Sequence, residues 1–83
     1  MIEIGAGIVM LGQSVIMTQP ICQPYADIVR RLTTEYRETI LSEVTGPDGN
    51  TLQRWGNEAR GTYIVVLRKP DNVGCILEFG GVR

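Results

Sequence analysis

Nine acidic side chains, three tyrosines, two cysteines and no histidine make up the reactive inventory of this 83-residue chain. The missing histidine removes Ser-His-Asp and Cys-His nucleophile pairs, imidazole metal ligands and an unperturbed pH switch together. Among the carboxylates, Glu35 and Glu38 come nearest to a general acid and base, because three residues apart on a helix they share a face. Tyr36, Tyr63 and Glu78 are the remaining proton-bearing groups that such chemistry would draw on. Arg31 and Arg37 surround the glutamate pair, however, and that composition describes a solvated, salt-bridged helix face. Glu78 alternates with Leu77 and Phe79 and is expected to point outward from a strand. Gly5-Ala6-Gly7 and Gly80-Gly81 lack the lysine and the strand-to-helix setting that phosphate cradling requires. No catalytic residue, cofactor or metal site is therefore assigned, and the chain is expected not to be an enzyme.

Cys22 and Cys75 are the only thiols. Two cysteines without histidine do not build a zinc site, and no C-x-x-C is present for redox work. They are either one disulfide, as small secreted domains with thin cores require, or two buried free thiols; the disulfide is the favoured reading. Recognition chemistry gathers in one place, at Gln53-Arg54-Trp55-Gly56-Asn57 with Arg60 and Tyr63 nearby. Tryptophan and arginine are enriched among binding hot spots, so Arg54, Trp55, Arg60 and Tyr63 form the candidate binding surface. The competing and favoured role for Trp55 is structural, sealing one end of a sheet with the Arg54 stem laid over it.

These residues need elements to hold them. Tyr25, Ile28, Val29, Leu32 and Tyr36 recur at three- and four-residue steps and predict a helix from Pro24 to about Thr39. Thr62–Arg68 concentrates β-branched and aromatic residues and is the best strand, with Thr51–Trp55 before it and Val73–Phe79 after it. Gly46-Pro47-Asp48-Gly49-Asn50, Gly56–Gly61 and Lys69-Pro70-Asp71-Asn72 supply the turns, and Gly80–Arg83 reads as a frayed tail. Thr39–Val44 reads equally as a short strand or a helix end. The expected fold is α+β: one N-terminal helix packed on a small three- to four-stranded antiparallel meander, with room for an extra N-terminal strand.

Charge divides the chain. Ile4 to Ala26 carries none, which marks residues 1–21 as an apolar segment ahead of a single α+β domain at 22–83. Gly5, Gly7, Gly12, Gln13 and Ser14 interrupt the segment too often for an integral membrane span. Its length fits the apolar part of a secretory signal, yet Glu3 replaces the expected base and no small-x-small step precedes Cys22. It is a degenerate signal or a retained arm rich in strand-forming Ile2, Ile4 and Ile8-Val9-Met10-Leu11. A net charge of −1 leaves no electrostatic footprint for nucleic acid.

From Cys22 onward the order Cys22-x-x-Tyr25-x-x-Ile28-Val29-x-x-Leu32-x-x-x-Tyr36-x-Glu38, then Gly49-Asn50-x-Leu52, Trp55, Gly61-Thr62-Tyr63, Pro70-Asp71-Asn72-Val73-Gly74-Cys75-Ile76 and Gly80, is distinctive. It resembles a group of small exported proteins, themselves uncharacterised, found in alphaproteobacteria and their phages. Tyr63 stands where tryptophan is commoner in that group, and Tyr25 where histidine often stands. The resemblance implies the periplasm and a Cys22–Cys75 bridge, and it implies no reaction. The function expected is a non-catalytic binding or structural module, periplasmic or secreted, that meets a protein partner or a second copy of itself. The alternative is a phage-encoded assembly component that oligomerises through its N-terminal arm or a sheet edge, in the cytoplasm if the N-terminal segment is retained.

Overall fold

The structure, a computed structural model, describes residues 8–11 and 14–81, with side chains from residue 19 to 81. The Ile2 and Ile4 part of the N-terminal segment, Gly5-Ala6-Gly7 and the end of the expected frayed tail lie outside the described residues. The elements run β1 (Ile8–Leu11), β2 (Ser14–Pro24), α1 (Tyr25–Thr34), β3 (Thr39–Thr45), β4 (Thr51–Asn57), β5 (Thr62–Arg68) and β6 (Val73–Gly81). The class is α+β. All strands join one antiparallel sheet in the order β1-β2-β6-β5-β4-β3.

The sheet is larger than the expected three or four strands. Five, β2 to β6, form its body, and the short β1 pairs along the outer side of β2. Thr39–Thr45 brings the meander to four strands, and an N-terminal strand, for which the sequence left room, adds the fifth. Thr39–Thr45 is a strand and not a helix end, held to β4 along its length from Thr39↔Gly56 to Thr45↔Thr51. The segment preceding Cys22 supplies β2, which pairs with β6 from Ser14↔Gly80 to Pro24↔Val73. The boundary drawn between residues 21 and 22 thus falls inside β2. β6 itself runs on to Gly81, so Gly80 and Gly81 are paired and not frayed.

Only β3 to β6 form a meander. β2 lies at the opposite side of the sheet from β3, and α1 carries the chain between them across one face. The helix is shorter than the apolar stripe suggested. Pro24 is extended and closes β2 as the residue before the helix, where its missing N–H costs nothing. The Tyr25 amide donates to the Asn72 carbonyl, tying the helix start to the β5–β6 turn. At the other end Thr33 and Thr34 turn their hydroxyls back to carbonyls of Val29 and Arg30. Three residues later Arg37 takes a φ of 55°, and the Glu38 amide donates to the Leu32 carbonyl. Asn57 Nδ2, at the end of β4, holds the Tyr36 and Arg37 carbonyls.

Ile28 and Leu32 pack against Trp55 and Val66, with Tyr25, Val29, Ile64 and Ile76 around them. Gly74 lets the helix come this close. A Cβ there would sit 2.8 Å from Ile28 Cδ1 and 3.3 Å from Tyr25 Cδ1. Among the described residues the opposite face of the sheet carries no helix, and Val44 and Leu52 are exposed on it. Cys22 and Cys75 are directly opposed in β2 and β6, with Cα atoms 4.0 Å apart, and form the disulfide. Alternation along β2 and β6 turns the bridge toward the uncovered face, because the Ile21↔Ile76 pair beside it faces the helix.

Candidate functional site

Cross-strand pairing puts Gln53, Trp55, Ile64, Val66 and Ile76 on the helix side of the sheet. A ten-residue helix is too short to cover that surface. It seals the end near its own start and leaves a cavity near its end. The cavity holds about 320 Å³, at the small end of the roughly 300–1,000 Å³ typical of ligand pockets. Ile28 and Leu32 from α1, Ile64 from β5 and Ile76 from β6 line it. Ile21, Tyr36 and Phe79 also line it, and all three are exposed although large and apolar, at 46%, 41% and 38%.

Among the described residues Glu38 is the one acidic group in this lining, and it is only 1% exposed. Its Oε2 accepts a hydrogen bond of 2.9 Å from the Thr62 hydroxyl. Its Oε1 is cut off from solvent and has no hydrogen-bond partner among the described residues. A buried polar atom left in this state costs about 1–3 kcal/mol, more if charged. Burial pushes the carboxyl above its ordinary value of 4.5, and the Thr62 bond draws it partway back. Arg31 is the only other charged residue among the described residues of the lining; it is more than half exposed and leans toward Glu35 at 3.9 Å.

This placement corrects the reading of Glu35 and Glu38 as neighbours on a solvated helix face. The helix ends at Thr34, Glu35 remains exposed, and the positive φ of Arg37 turns Glu38 inward. Tyr36 likewise leaves the helical stripe and comes to stand at the cavity. The sequence carried one usable signal for this, the β-branched pair Thr33-Thr34, whose hydroxyls compete for backbone carbonyls and weaken a helix end.

The four residues of the candidate binding surface do not share one surface. Trp55 is 4% exposed in the core, and its Nε1 donates to Gln53 Oε1 at 3.0 Å. Arg54 lies on the uncovered face with its guanidinium 5.1 Å from the centre of the Tyr63 ring, whose hydroxyl donates to Glu78. Arg60 is exposed in the β4–β5 turn. Glu78 is thus engaged with Tyr63, away from the cavity carboxylate. Among the described residues no helix is long and apolar enough to cross a membrane.

Comparison with family models, with curated proteins and with solved structures finds no match to this chain.

Proposed function

We propose that this chain is a small non-catalytic binding module, stapled by its disulfide, that works in the periplasm or outside the cell and takes a small ligand beneath α1. The single observation that carries the reading is the open cavity at the end of the helix, bordered by exposed Ile21, Tyr36 and Phe79. Exposed apolar side chains grouped around a concavity mark a surface that a partner covers. The disulfide is compatible with an oxidising compartment, and the resemblance to exported proteins points the same way. Among the described lining residues Glu38 has no second carboxyl with which to divide acid and base roles, which speaks for binding over catalysis.

A thermal-shift screen of the oxidised chain against small apolar and amphipathic compounds tests this, with each stabilising compound mapped by NMR. Shifts concentrated at Ile28, Leu32, Ile64 and Ile76 are expected. Compounds that map elsewhere, or a screen without stabilising compounds, would overturn the reading.

A second reading, an assembly component of a phage particle, is favoured by β3. Among the described residues this strand pairs on one side only, all seven of its residues are exposed, and Ile40, Leu41 and Val44 are among them at 42%, 44% and 68%. Such an edge is a template for pairing with another chain. Light scattering separates the two. A monomer at all concentrations supports the binding module, whereas an oligomer that Val44→Lys dissolves supports assembly.

A further inference from the structure

Building on the binding reading, we propose that the cavity beneath α1 receives a small organic ammonium ion, its apolar body against the aliphatic wall and its N–H donated to Glu38. The buried polar atom that lacks a partner is an acceptor, Oε1 of a carboxylate that is closed to water, so a ligand meets it only when the carboxyl turns into the cavity, and the missing group is a donor. A cation supplies that donor and neutralises a charge that an apolar enclosure makes costly. A neutral hydroxyl would supply only the first. An anionic head group would meet the carboxylate with like charge.

The walls agree with this choice. Ile28, Leu32, Ile64 and Ile76 offer hydrocarbon to an alkyl or aryl body. Tyr36 and Phe79, exposed beside the cavity, offer ring faces, and aromatic faces attract cations within about 6 Å. The groups that face Glu38 from each packed element are few. α1 contributes Arg31, the loop after it Tyr36, and β5 contributes Thr62, together with Tyr63, whose hydroxyl is committed to Glu78 on the other face. β2 and β6 contribute only uncharged lining residues, Ile21, Gln23, Ile76, Phe79 and Gly80. Among the described lining residues Arg31 is the sole opposing cation, and its exposure subjects it to solvent and salt screening that the buried carboxyl escapes. Because burial favours the protonated acid, an ammonium that binds the carboxylate displaces a proton, and affinity rises with pH until Glu38 is fully ionised.

Three matched probes test the proposal on the oxidised full chain by titration calorimetry near neutral pH: 2-phenylethylamine, 2-phenylethanol and 3-phenylpropanoate. The amine is expected to bind at least about tenfold more tightly than either of the others, and Glu38→Gln to remove about that factor, about 1.4 kcal/mol. Carbon-13 NMR of the Glu38 carboxyl in the unsubstituted protein gives a readout independent of how the variant folds. Saturating amine must lower its titration midpoint. Equal binding of amine and alcohol with no effect of Glu38→Gln would overturn the ammonium assignment and leave the binding module standing. Failure of the amine to bind, or a Glu38 midpoint that it does not move, would overturn the assignment outright. If the broader screen is also empty, the binding module falls with it.

Discussion

Gln53 and Glu38 are both buried on the helix-covered face of the sheet, at 2% and 1% exposure, but they stand in opposite conditions. Gln53 Oε1 accepts from the Tyr25 hydroxyl and from Trp55 Nε1, and its Nε2 donates to Glu43. It welds the helix start to two strands. Glu38 has one oxygen bonded and one orphaned. The closed end of the face adds the Tyr25–Asn72 backbone bond, and Arg68 lies over the Tyr25 ring at 4.4 Å. The open end has exposed apolar side chains around a void. Natural cores satisfy their buried polar groups, and the exceptions gather where a site is kept ready for something else. One end of this face is built for stability, and the other is left incomplete.

The largest effect that can separate the two ends comes from the disulfide. With its cysteines 53 positions apart in the sequence, the chain-entropy relation assigns it about 4 kcal/mol. Urea unfolding with and without reductant should differ by that order, and the Cys22→Ser, Cys75→Ser double variant should no longer respond to reductant. Next, Gln53→Leu should destabilise by about 3 kcal/mol in urea unfolding, because it orphans the Tyr25 hydroxyl and the Trp55 N–H at once. A loss below about 1 kcal/mol would show that the closed end does not depend on this hub.

Glu38→Gln should act in the other direction. The folded carboxyl titrates above its unfolded value of 4.5, so the folded state holds a proton that the unfolded state has already released. Stability is therefore fully present below about pH 4.5 and declines as pH rises through the folded value. Urea midpoints measured across that window should fall in the native chain and run flatter in Glu38→Gln, which is the more stable of the two at neutral pH. A native profile that rises with pH there would place Glu38 in a stabilising ion pair and erase the contrast with Gln53. Smallest of all, Leu52→Ala on the uncovered face should cost less than about 1 kcal/mol by the same measurement, since Leu52 is already 44% exposed. A core-sized loss would mean that this face is covered in solution.

What could be read in advance follows the range of the interactions involved. Thr62–Arg68 was legible to the residue because its β-branched run specifies a strand locally. The turn at residues 46–50 was legible because Gly49 alone tolerates its φ of 85° without strain, and the Asp48 carboxylate caps the Asn50 amide. The pairing of β2 with β6 was not, because a strand's partner is set by contacts distant in sequence and nothing in Val15-Ile16-Met17 names Phe79 and Glu78. Thr39–Thr45 was ambiguous for the same reason, with β4 deciding it. Trp55 could be weighed as core or surface from its type alone, and the Gln53 acceptor resolves it. Glu38 was misplaced because a three-residue spacing counts as one helical face only if the helix continues that far, and this one stops at Thr34.

The place of β2 beside β6 also sets a timetable. The contacts within β3 to β6 form between neighbours in the chain and can zip hairpin by hairpin, but β2 must wait for a strand some fifty residues further along. Closure of so long a loop slows folding, and a chain emerging from a ribosome or a translocon exposes β2 and the free Cys22 thiol throughout that interval. Joining of Cys22 to Cys75, with an oxidant of the compartment taking up the two electrons and two protons, then reports that the latest pairing in the sheet has been made, so with oxidant in excess the rate of bond formation clocks the arrival of that pairing.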